Sequence, residues 1–329
     1  MRRRDFLLTA SAAAAWPLSV RGQQAGLTQR VAAVMGWSDD NAVQRGWFET
    51  FSGELTKLAA ADHRALQIER RWTNGDVKMA QNFARETVAT KPDVIFATTT
   101  PVVAALHAQT KSIPIVFAVV ADPVGAKFVE SFSRPGGNIT GFVHSESRLG
   151  GKWLALLKEA APALTRIALM FNPDTAPGGG GFFMGAFEAA AKLLGVEPLS
   201  APVRNADDIK AAVAALGARR SGLVLMDDAY MAVNYRTVIA AAAQANVPSI
   251  FVTASYAADG GLMGYSGVSP DLFVQSARYV DRILRGEKPA DLPVQTPIHY
   301  QLTLNLKTAN ALGLEIPTSL LAAAAEVIE

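Results

Sequence analysis

The sequence predicts an α/β fold in which two doubly wound parallel-sheet lobes are joined by a multi-strand hinge. Three observations lead to this prediction. Short apolar strands alternate with amphipathic helices, an order typical of parallel sheets covered on both faces. The alternation occurs twice along 329 residues, a length too great for one ordinary hydrophobic core. Glycine-rich segments separate the two runs and allow the chain to turn from one lobe to the other.

The first run of elements has clear helical and strand periodicity. Val43, Trp47 and Phe51 recur at helical spacing, which predicts an amphipathic helix. Asp76 is a predicted N-cap of the next helix. In chain order, strands are predicted over 29–37, 66–72, 93–98 and 113–120, and helices over 41–60, 76–90 and 101–110, with a further short helix opening at Asp122-Pro123.

The second run repeats this rhythm. In each run a strand and a helix precede a strand that carries a proline near its start, Pro114 in the first and Pro248 in the second. Two similar lobes are the simplest explanation of the repeat. In chain order, strands are predicted over 166–171, 196–203, 222–226 and 248–252, and helices over 182–194, 207–216 and 230–245.

Three segments are predicted to cross between the lobes. They are the strand 139–143 after a glycine pair, the segment 260–264, and the segment near 298–305. Several crossings form a hinge about which two lobes close. The predicted division is residues 27–143 plus about 263–290 for lobe 1, and residues 144–262 plus about 291–329 for lobe 2.

The first 22 residues have the pattern of an export signal. Three arginines precede an apolar stretch of roughly ten residues that is too short to span a bilayer. Arg3-Arg4 followed by Phe6-Leu7 resembles a twin-arginine signal, and an ordinary Sec signal is the alternative. Val20 and Gly22 suit a cleavage site after Gly22. The mature protein is therefore expected to be soluble, exported and periplasmic.

Composition narrows the possible partners and chemistries. Removal of residues 1–22 leaves 27 basic and 28 acidic residues, so no basic surface for nucleic acid is expected. The chain has no cysteine, which excludes disulfides, thiolate catalysis and a lipoprotein anchor. The four histidines lie far apart in sequence, so neither a metal site nor a cofactor is expected.

The sequence lacks three common enzyme motifs. The glycine run 178–181 lacks the following Gly-Lys-Ser/Thr of a phosphate loop. The dinucleotide fingerprint is missing after the first strand, where only Gly36 occurs. Residues 264–267 do not have the spacing of a nucleophile elbow. No catalytic residue is therefore assigned.

The candidate ligand residues are polar side chains at the carboxyl ends of predicted strands, where open parallel sheets bind ligands. Hydroxyls at the start of a helix suit a carboxylate, whereas carboxylates suit an ammonium or hydroxyl group. The alternative for each residue is a helix cap or a turn. The candidates are Ser38, Asp39, Thr99, Thr100 and Asp122 in lobe 1, and Asn172, Asp174, Asp227, Asp228, Ser255 and Tyr256 in lobe 2.

Several sequence runs together resemble a known family. The chain resembles the ABC-transporter substrate-binding family that includes tryptophan- and tyrosine-binding proteins, within the type I periplasmic-binding fold. The resemblance covers nearly all of the predicted mature chain. The runs that carry it are 91–95 with 98–101, 113–117, 122–124, 134–141, 171–173, 260–263, 286–294 and 305–314.

The resemblance implies a two-lobed receptor that closes on a small molecule such as an amino acid or another small carboxylate or ring compound. Its partners would be a permease in the inner membrane and the cytoplasmic ATPase of that transporter. The receptor is expected to be a monomer and not an enzyme. Two alternatives remain open at this point: a periplasmic sensor that feeds a membrane signalling receptor, and an enzyme on the same fold.

Overall fold

The computed structural model describes residues 28–217, 220–267 and 270–329. The predicted signal segment, residues 1–22, lies outside these ranges. The described residues form two mainly parallel sheets, each covered by helices, which confirms the predicted α/β class with two lobes. None of the helices in these ranges is long and apolar enough to cross a membrane.

The elements are numbered in chain order. The strands are β1 (Gln29–Met35), β2 (Leu66–Trp72), β3 (Val94–Thr98), β4 (Ile115–Val120), β5 (Ile139–Val143), β6 (Arg166–Phe171), β7 (Glu197–Pro202), β8 (Ser221–Leu225), β9 (Ser249–Phe251), β10 (Met263–Ser266), β11 (Gln301–Asn305) and β12 (Glu326–Ile328). The α-helices are α1 (Ala42–Ala61), α2 (Val77–Ala89), α3 (Thr100–Gln109), α4 (Leu149–Ala160), α5 (Gly181–Leu193), α6 (Ala206–Gly217), α7 (Ala229–Gln244), α8 (Ala254–Ala258), α9 (Pro270–Leu284), α10 (Leu306–Ala311) and α11 (Thr318–Ala323).

The first lobe is a five-stranded parallel sheet in the order β2-β1-β3-β4-β5. Helices α1 and α9 cover one face, and aromatic rings fill the space beneath them. Phe51 stacks on Phe96 with ring centres 3.9 Å apart, and Trp47 stacks on Phe273 at 5.4 Å. Strands β3 and β4 are buried at every position, as expected for the centre of a doubly wound sheet.

The second lobe is a seven-stranded sheet in the order β12-β11-β10-β9-β8-β6-β7. Its strands are parallel except for the antiparallel pair of β10 with β11. Helices α4 and α5 pack closely because Gly150 faces the backbone of Phe183: an added Cβ would lie 2.3 Å from that carbonyl oxygen. Trp153 then contacts the ring of Phe183 at 5.0 Å.

The chain crosses between the lobes three times, and two of the predicted boundaries were wrong. Residues 263–266, assigned to lobe 1, form β10 in the second sheet, where Met263 is fully buried. Residues 291–295, assigned to lobe 2, remain with the first sheet, because Gln295 exchanges backbone hydrogen bonds with Val143 and Gly141. The glycines mark turns of the chain, but the sheet that each strand joins depends on long-range pairing.

The prediction of a short helix at Asp122-Pro123 was also wrong. Residues 123–127 form successive turns instead. The Oδ1 atom of Asp122 accepts a hydrogen bond from the Gly125 amide at 2.8 Å, as an N-cap does, but Lys127 adopts a φ of +58°, which does not continue a helix. The other helices and strands predicted for the two runs are present, within about three residues of their predicted ends.

Candidate functional site

The carboxyl ends of the strands from both lobes face each other across a narrow cleft. The free volume of this cleft is about 20 Å³, which is room for about one water molecule. The cleft is lined by Trp37, Thr99, Thr100, Val119 and Ala121 from the first lobe, by His144 from the first crossing, and by Thr175, Pro177, Asp227, Asp228 and Ala229 from the second lobe.

Thr99 forms the first-lobe wall at the start of helix α3. Its φ is +70°, and its side chain is buried with a hydroxyl that has no hydrogen-bond partner among the described residues. Only a glycine at position 36 leaves room for this hydroxyl, since an added Cβ there would lie 2.1 Å from Thr99 Oγ1. A free hydroxyl beside the positive end of α3 suits an anionic group of a ligand.

Backbone strain is found at two neighbouring strand ends of the cleft. Val119 has φ +56°, and the pairing of β4 with β5 shifts register beside it. Thr99 and Val119 are both β-branched, and such residues rarely adopt a positive φ. Strain of this kind costs of the order of 1–3 kcal/mol per residue and is concentrated at ligand-binding sites. Its position supports the cleft as the functional site of this fold.

Asp227 forms the second-lobe wall and is paired with His144. The Nε2 atom of His144 contacts Asp227 Oδ2, and the side chains are 5% and 15% exposed respectively. The Ser145 hydroxyl lies 3.4 Å from the same Nε2 atom. Burial raises the pKa of Asp227 and lowers the pKa of His144, whereas the attraction between the two opposes both shifts. The pair links the first crossing to the carboxyl end of β8.

Asp228 is the N-cap of helix α7 and organises the base of the cleft. Its Oδ1 atom accepts hydrogen bonds from the Thr175 hydroxyl and the Met231 amide, both at 2.8 Å, and its Oδ2 atom accepts one from the Asn172 amide at 2.9 Å. Burial raises the pKa of Asp228 to about 7, although the three donors act in the opposite direction. This residue therefore supports the loops after β6 and β8.

The raised pKa of Asp228 predicts a pH dependence of stability. Between its ordinary value of 3.8 and about 7, the folded chain keeps a proton that the unfolded chain has released. The free energy of unfolding is therefore expected to fall as pH rises through this window, by up to about 1.4 kcal/mol per pH unit. Urea unfolding of the wild type and Asp228→Asn across this range measures it. Equal slopes in the two proteins would contradict the assignment.

The lobes are in contact along one edge of the cleft. The Asn41 Nδ2 atom donates to the Tyr235 hydroxyl at 3.4 Å, and Gln44 Nε2 donates to the Ala232 carbonyl at 3.5 Å. Both donors belong to the start of α1 in the first lobe, and both acceptors belong to α7 in the second. These contacts hold the cleft nearly shut and must break when the lobes separate.

Four predicted ligand residues meet in this cleft: Thr99, Thr100, Asp227 and Asp228. Three other first-lobe candidates do not line it. Ser38 is half-buried in the loop after β1, the Asp39 carbonyl accepts a hydrogen bond from Arg45, and Asp122 holds its own turn. Of these three side chains, that of Asp122 bonds to the local backbone instead.

The remaining second-lobe candidates also lie away from the cleft lining. The Asn172 side chain accepts from the Asp174 amide at 2.9 Å, and Asp174 is exposed, 3.6 Å from Arg204. Ser255 belongs to helix α8. Tyr256 is buried, stacks on Tyr235 with ring centres 3.8 Å apart, and donates to the Ala232 carbonyl.

His144, Thr175 and Val119 line the cleft but were not predicted as ligand residues. His144 follows the last residue of β5, which was predicted as a crossing strand at the end of lobe 1, and residues after crossing strands were not taken as ligand candidates. Thr175 lies three residues beyond Asn172 and is held by Asp228. Trp37 lines the cleft and also packs against Trp47 and Phe273.

In the described ranges, no group of three or more potential metal ligands is present.

Comparisons with known proteins agree with this architecture. A family described as ABC transporter substrate binding protein matches residues 46–328. The tyrosine-binding protein of Clostridioides difficile strain R20291 is 25% identical over 251 residues, which are 76% of this chain and 71% of that protein.

Two solved structures superpose on most of the chain. A conserved domain protein from Vibrio cholerae is 28% identical, with a TM-score of 0.81 over 92% of this chain and 100% of that one. The ABC domain in complex with L-Trp from Streptococcus pneumonia is 23% identical, with a TM-score of 0.80 over the same shares. The second similarity shows the fold alone.

Proposed function

The chain belongs to the family of ABC transporter substrate-binding proteins, and we propose that it captures an amino acid in the interlobe cleft and presents it to an ABC importer. The ligand would enter when the lobes separate, because the cleft has room for about one water in the present conformation. Closure on the ligand then produces the form that a membrane permease recognises.

One observation carries the choice of an amino acid. Opposite walls of the cleft offer complementary groups: the free hydroxyl of Thr99 beside the positive end of α3, and the carboxylate of Asp227 after β8. The first suits a carboxylate and the second suits an ammonium group. A zwitterion spans both walls only when the lobes are closed. The names of the tyrosine-binding relative and of the L-Trp complex support the same ligand class.

Ligand binding and lobe closure are linked in this mechanism. A ligand that contacts both lobes stabilises the closed state by its differential affinity for that state. The contacts of Asn41 and Gln44 with α7 add to closure. No bond of the ligand is made or broken. Within this proposal the protein is a periplasmic monomer without a lipid anchor, exported by the signal predicted in residues 1–22.

A ligand screen tests the proposed function. Purified mature protein is heated with individual L-amino acids, small carboxylates, purines and sugars, and its melting temperature is measured. A ligand at 100 times its dissociation constant stabilises the fold by about 2.7 kcal/mol, which raises the melting temperature by several degrees. An amino acid that gives this shift and is recovered unchanged is the expected result. A shift confined to another class, or chemical conversion of the compound, would contradict the proposal.

Replacement of Thr99 by valine tests the first-lobe wall. Thr99→Val keeps the shape of the side chain and removes the free hydroxyl, so ligand affinity is expected to fall about tenfold through loss of a hydrogen bond to a charged group. Calorimetric titration measures this change. Thr87→Val is the matched control, because the Thr87 hydroxyl is equally buried and unpartnered in the described structure but lies on α2, outside the cleft lining. Equal affinities for the two variants would exclude a ligand contact at Thr99.

A further inference from the structure

A cavity bounded by described residues lies at the hinge and shares no lining residue with the cleft. Its free volume is about 520 Å³. This is about 25 times the free volume of the cleft. All three crossings contribute to its wall, through Val143, Gly267 and Pro297. Helix α9 closes it from the first lobe through Asp271, Leu272 and Tyr279.

The crossings converge at Gly267, which keeps this side of the hinge tight. An added Cβ there would lie 2.8 Å from the His144 carbonyl oxygen and 2.9 Å from Pro297 Cβ. The Val143 amide donates to the Gln295 carbonyl at 2.9 Å, which ties the first crossing to the third. The backbone of the three segments is thereby fixed along one side, and the space between these segments and α9 remains unfilled.

The cavity has an apolar wall and one charged group. Phe142 and Tyr279 form an aromatic surface with ring centres 4.7 Å apart, and Leu272 continues it. Gln295 Nε2 donates to the Tyr279 hydroxyl at 3.1 Å, and that hydroxyl donates to the Pro293 carbonyl at 3.0 Å, so the phenol is held in place.

Asp271 gives the cavity a negative charge. It is the one acidic side chain among the described lining residues, and none of those residues is a lysine or an arginine. Arg282 lies 5.5 Å from the ring centre of Tyr279, but it is itself paired with Glu287. The amides of Gln275 and Gln301 supply further hydrogen-bond acceptors.

We propose that the hinge cavity is a second small-molecule site, distinct from the cleft, which takes an organic amine with an apolar or aromatic body. The ammonium group pairs with Asp271, and the body covers Phe142, Leu272 and Tyr279. A carboxylate on the same body is disfavoured because it would approach Asp271, and neither a lysine nor an arginine lines the described cavity.

Occupation of this site is coupled to lobe movement. The crossings that line the cavity change their backbone angles when the lobes separate. A molecule that fits the cavity in the present, nearly shut conformation therefore favours this conformation, and by linkage its binding is coupled to the opening and closing of the cleft.

The probe is 2-phenylethylamine, with 3-phenylpropionate as the matched acid, and binding is followed by ligand-observed NMR titration. The amine is expected to saturate the wild type and the acid is not. Asp271→Asn is expected to weaken amine binding by up to about fivefold, which corresponds to loss of an exposed charge pair. Gln275→Phe, which places an aromatic ring inside the cavity, is expected to weaken it further.

Two controls separate this site from other possibilities. Asp291→Asn removes an exposed acid outside the cavity lining, and Asp227→Asn alters the cleft; both are expected to leave amine binding within about twofold of the wild type. Absence of saturable amine binding to the wild type would overturn the proposal. So would binding that is lost in Asp227→Asn but retained in Gln275→Phe, because that result assigns the amine to the cleft. Neither result depends on the identity of the transported solute.

Discussion

Replacement of Asp227 by asparagine is expected to weaken ligand binding about a hundredfold. The side chain is 15% exposed and lies at the end of β8 in the cleft. An ammonium group bound there loses its charge partner but remains desolvated, which costs about 3 kcal/mol, or about two orders of magnitude in the dissociation constant. Asparagine keeps the size of the side chain and an acceptor for His144, so the cleft is expected to keep its shape. Calorimetric titration with the ligand identified in the screen measures the change.

The control for this variant is Asp174→Asn. Asp174 follows the neighbouring strand β6 in the same lobe and was predicted from sequence for the same reason, but its side chain is 63% exposed and pairs with Arg204. This variant is expected to bind ligand as the wild type does. Unchanged affinity in Asp227→Asn, or an equal loss in both variants, would contradict a role for Asp227 in holding the ligand ammonium.

Replacement of Asp228 by alanine is expected to lower the free energy of unfolding by about 3 kcal/mol at pH 5. Three buried donors lose their acceptor: the amides of Asn172 and Met231 and the hydroxyl of Thr175. Each unsatisfied buried donor costs about 1–3 kcal/mol, and local relaxation recovers part of this sum. At pH 5 the carboxyl group is largely protonated in the folded chain, since its pKa is raised to about 7, so the loss of hydrogen bonds dominates. Urea unfolding followed by circular dichroism measures the effect.

Asp76→Ala provides the comparison for this second prediction. Asp76 is the N-cap of α2 and accepts one hydrogen bond, from the Met79 amide at 2.8 Å, at an exposed position. The same chemical change there is expected to cost about 1 kcal/mol, as is usual for a helix cap. Similar losses in the two variants would show that Asp228 acts as an ordinary cap and does not support the loops of the cleft.

Much of the fold could be predicted from local sequence pattern. The predicted strands 66–72 and 166–171 coincide with β2 and β6, and the predicted N-cap Asp76 caps α2. These features depend on side-chain period and on caps, which are local properties of the sequence. The repeated order of strands and helices then limits the possible topologies to doubly wound sheets.

Long-range features of the fold were less accessible. Helix α9 was not predicted, although Phe273, Ala277 and Val280 recur at helical spacing and are buried against the first sheet. Strand β10 belongs to the second sheet, and the chain returns to the first lobe before α9. The packing of α9 on the first sheet therefore depends on which lobe the chain enters at each crossing. That choice depends on contacts between residues far apart in sequence, such as Val143 with Gln295, and not on periodicity.

The expectation that ligand residues follow the carboxyl ends of strands located the cleft but did not select its residues reliably. It found Thr99 and Asp227, which line the cleft, and it also found Asp122 and Asn172, whose side chains hold turns. Polar residues are needed at strand ends for both purposes, and sequence alone does not tell which way a side chain points. His144 was missed because β5 was interpreted as a crossing, although it is the edge strand of the first sheet.

The most direct test of the proposed function is a calorimetric titration with three forms of one ligand. The amino acid that gives the largest stabilisation in the screen is compared with its decarboxylated amine and its deaminated acid, on the wild-type protein. The intact amino acid is expected to bind at least about a hundredfold more tightly than either partial form, because each form leaves one wall of the cleft without its partner. Equal affinity for the amine or for the acid would contradict recognition of a zwitterion between Thr99 and Asp227.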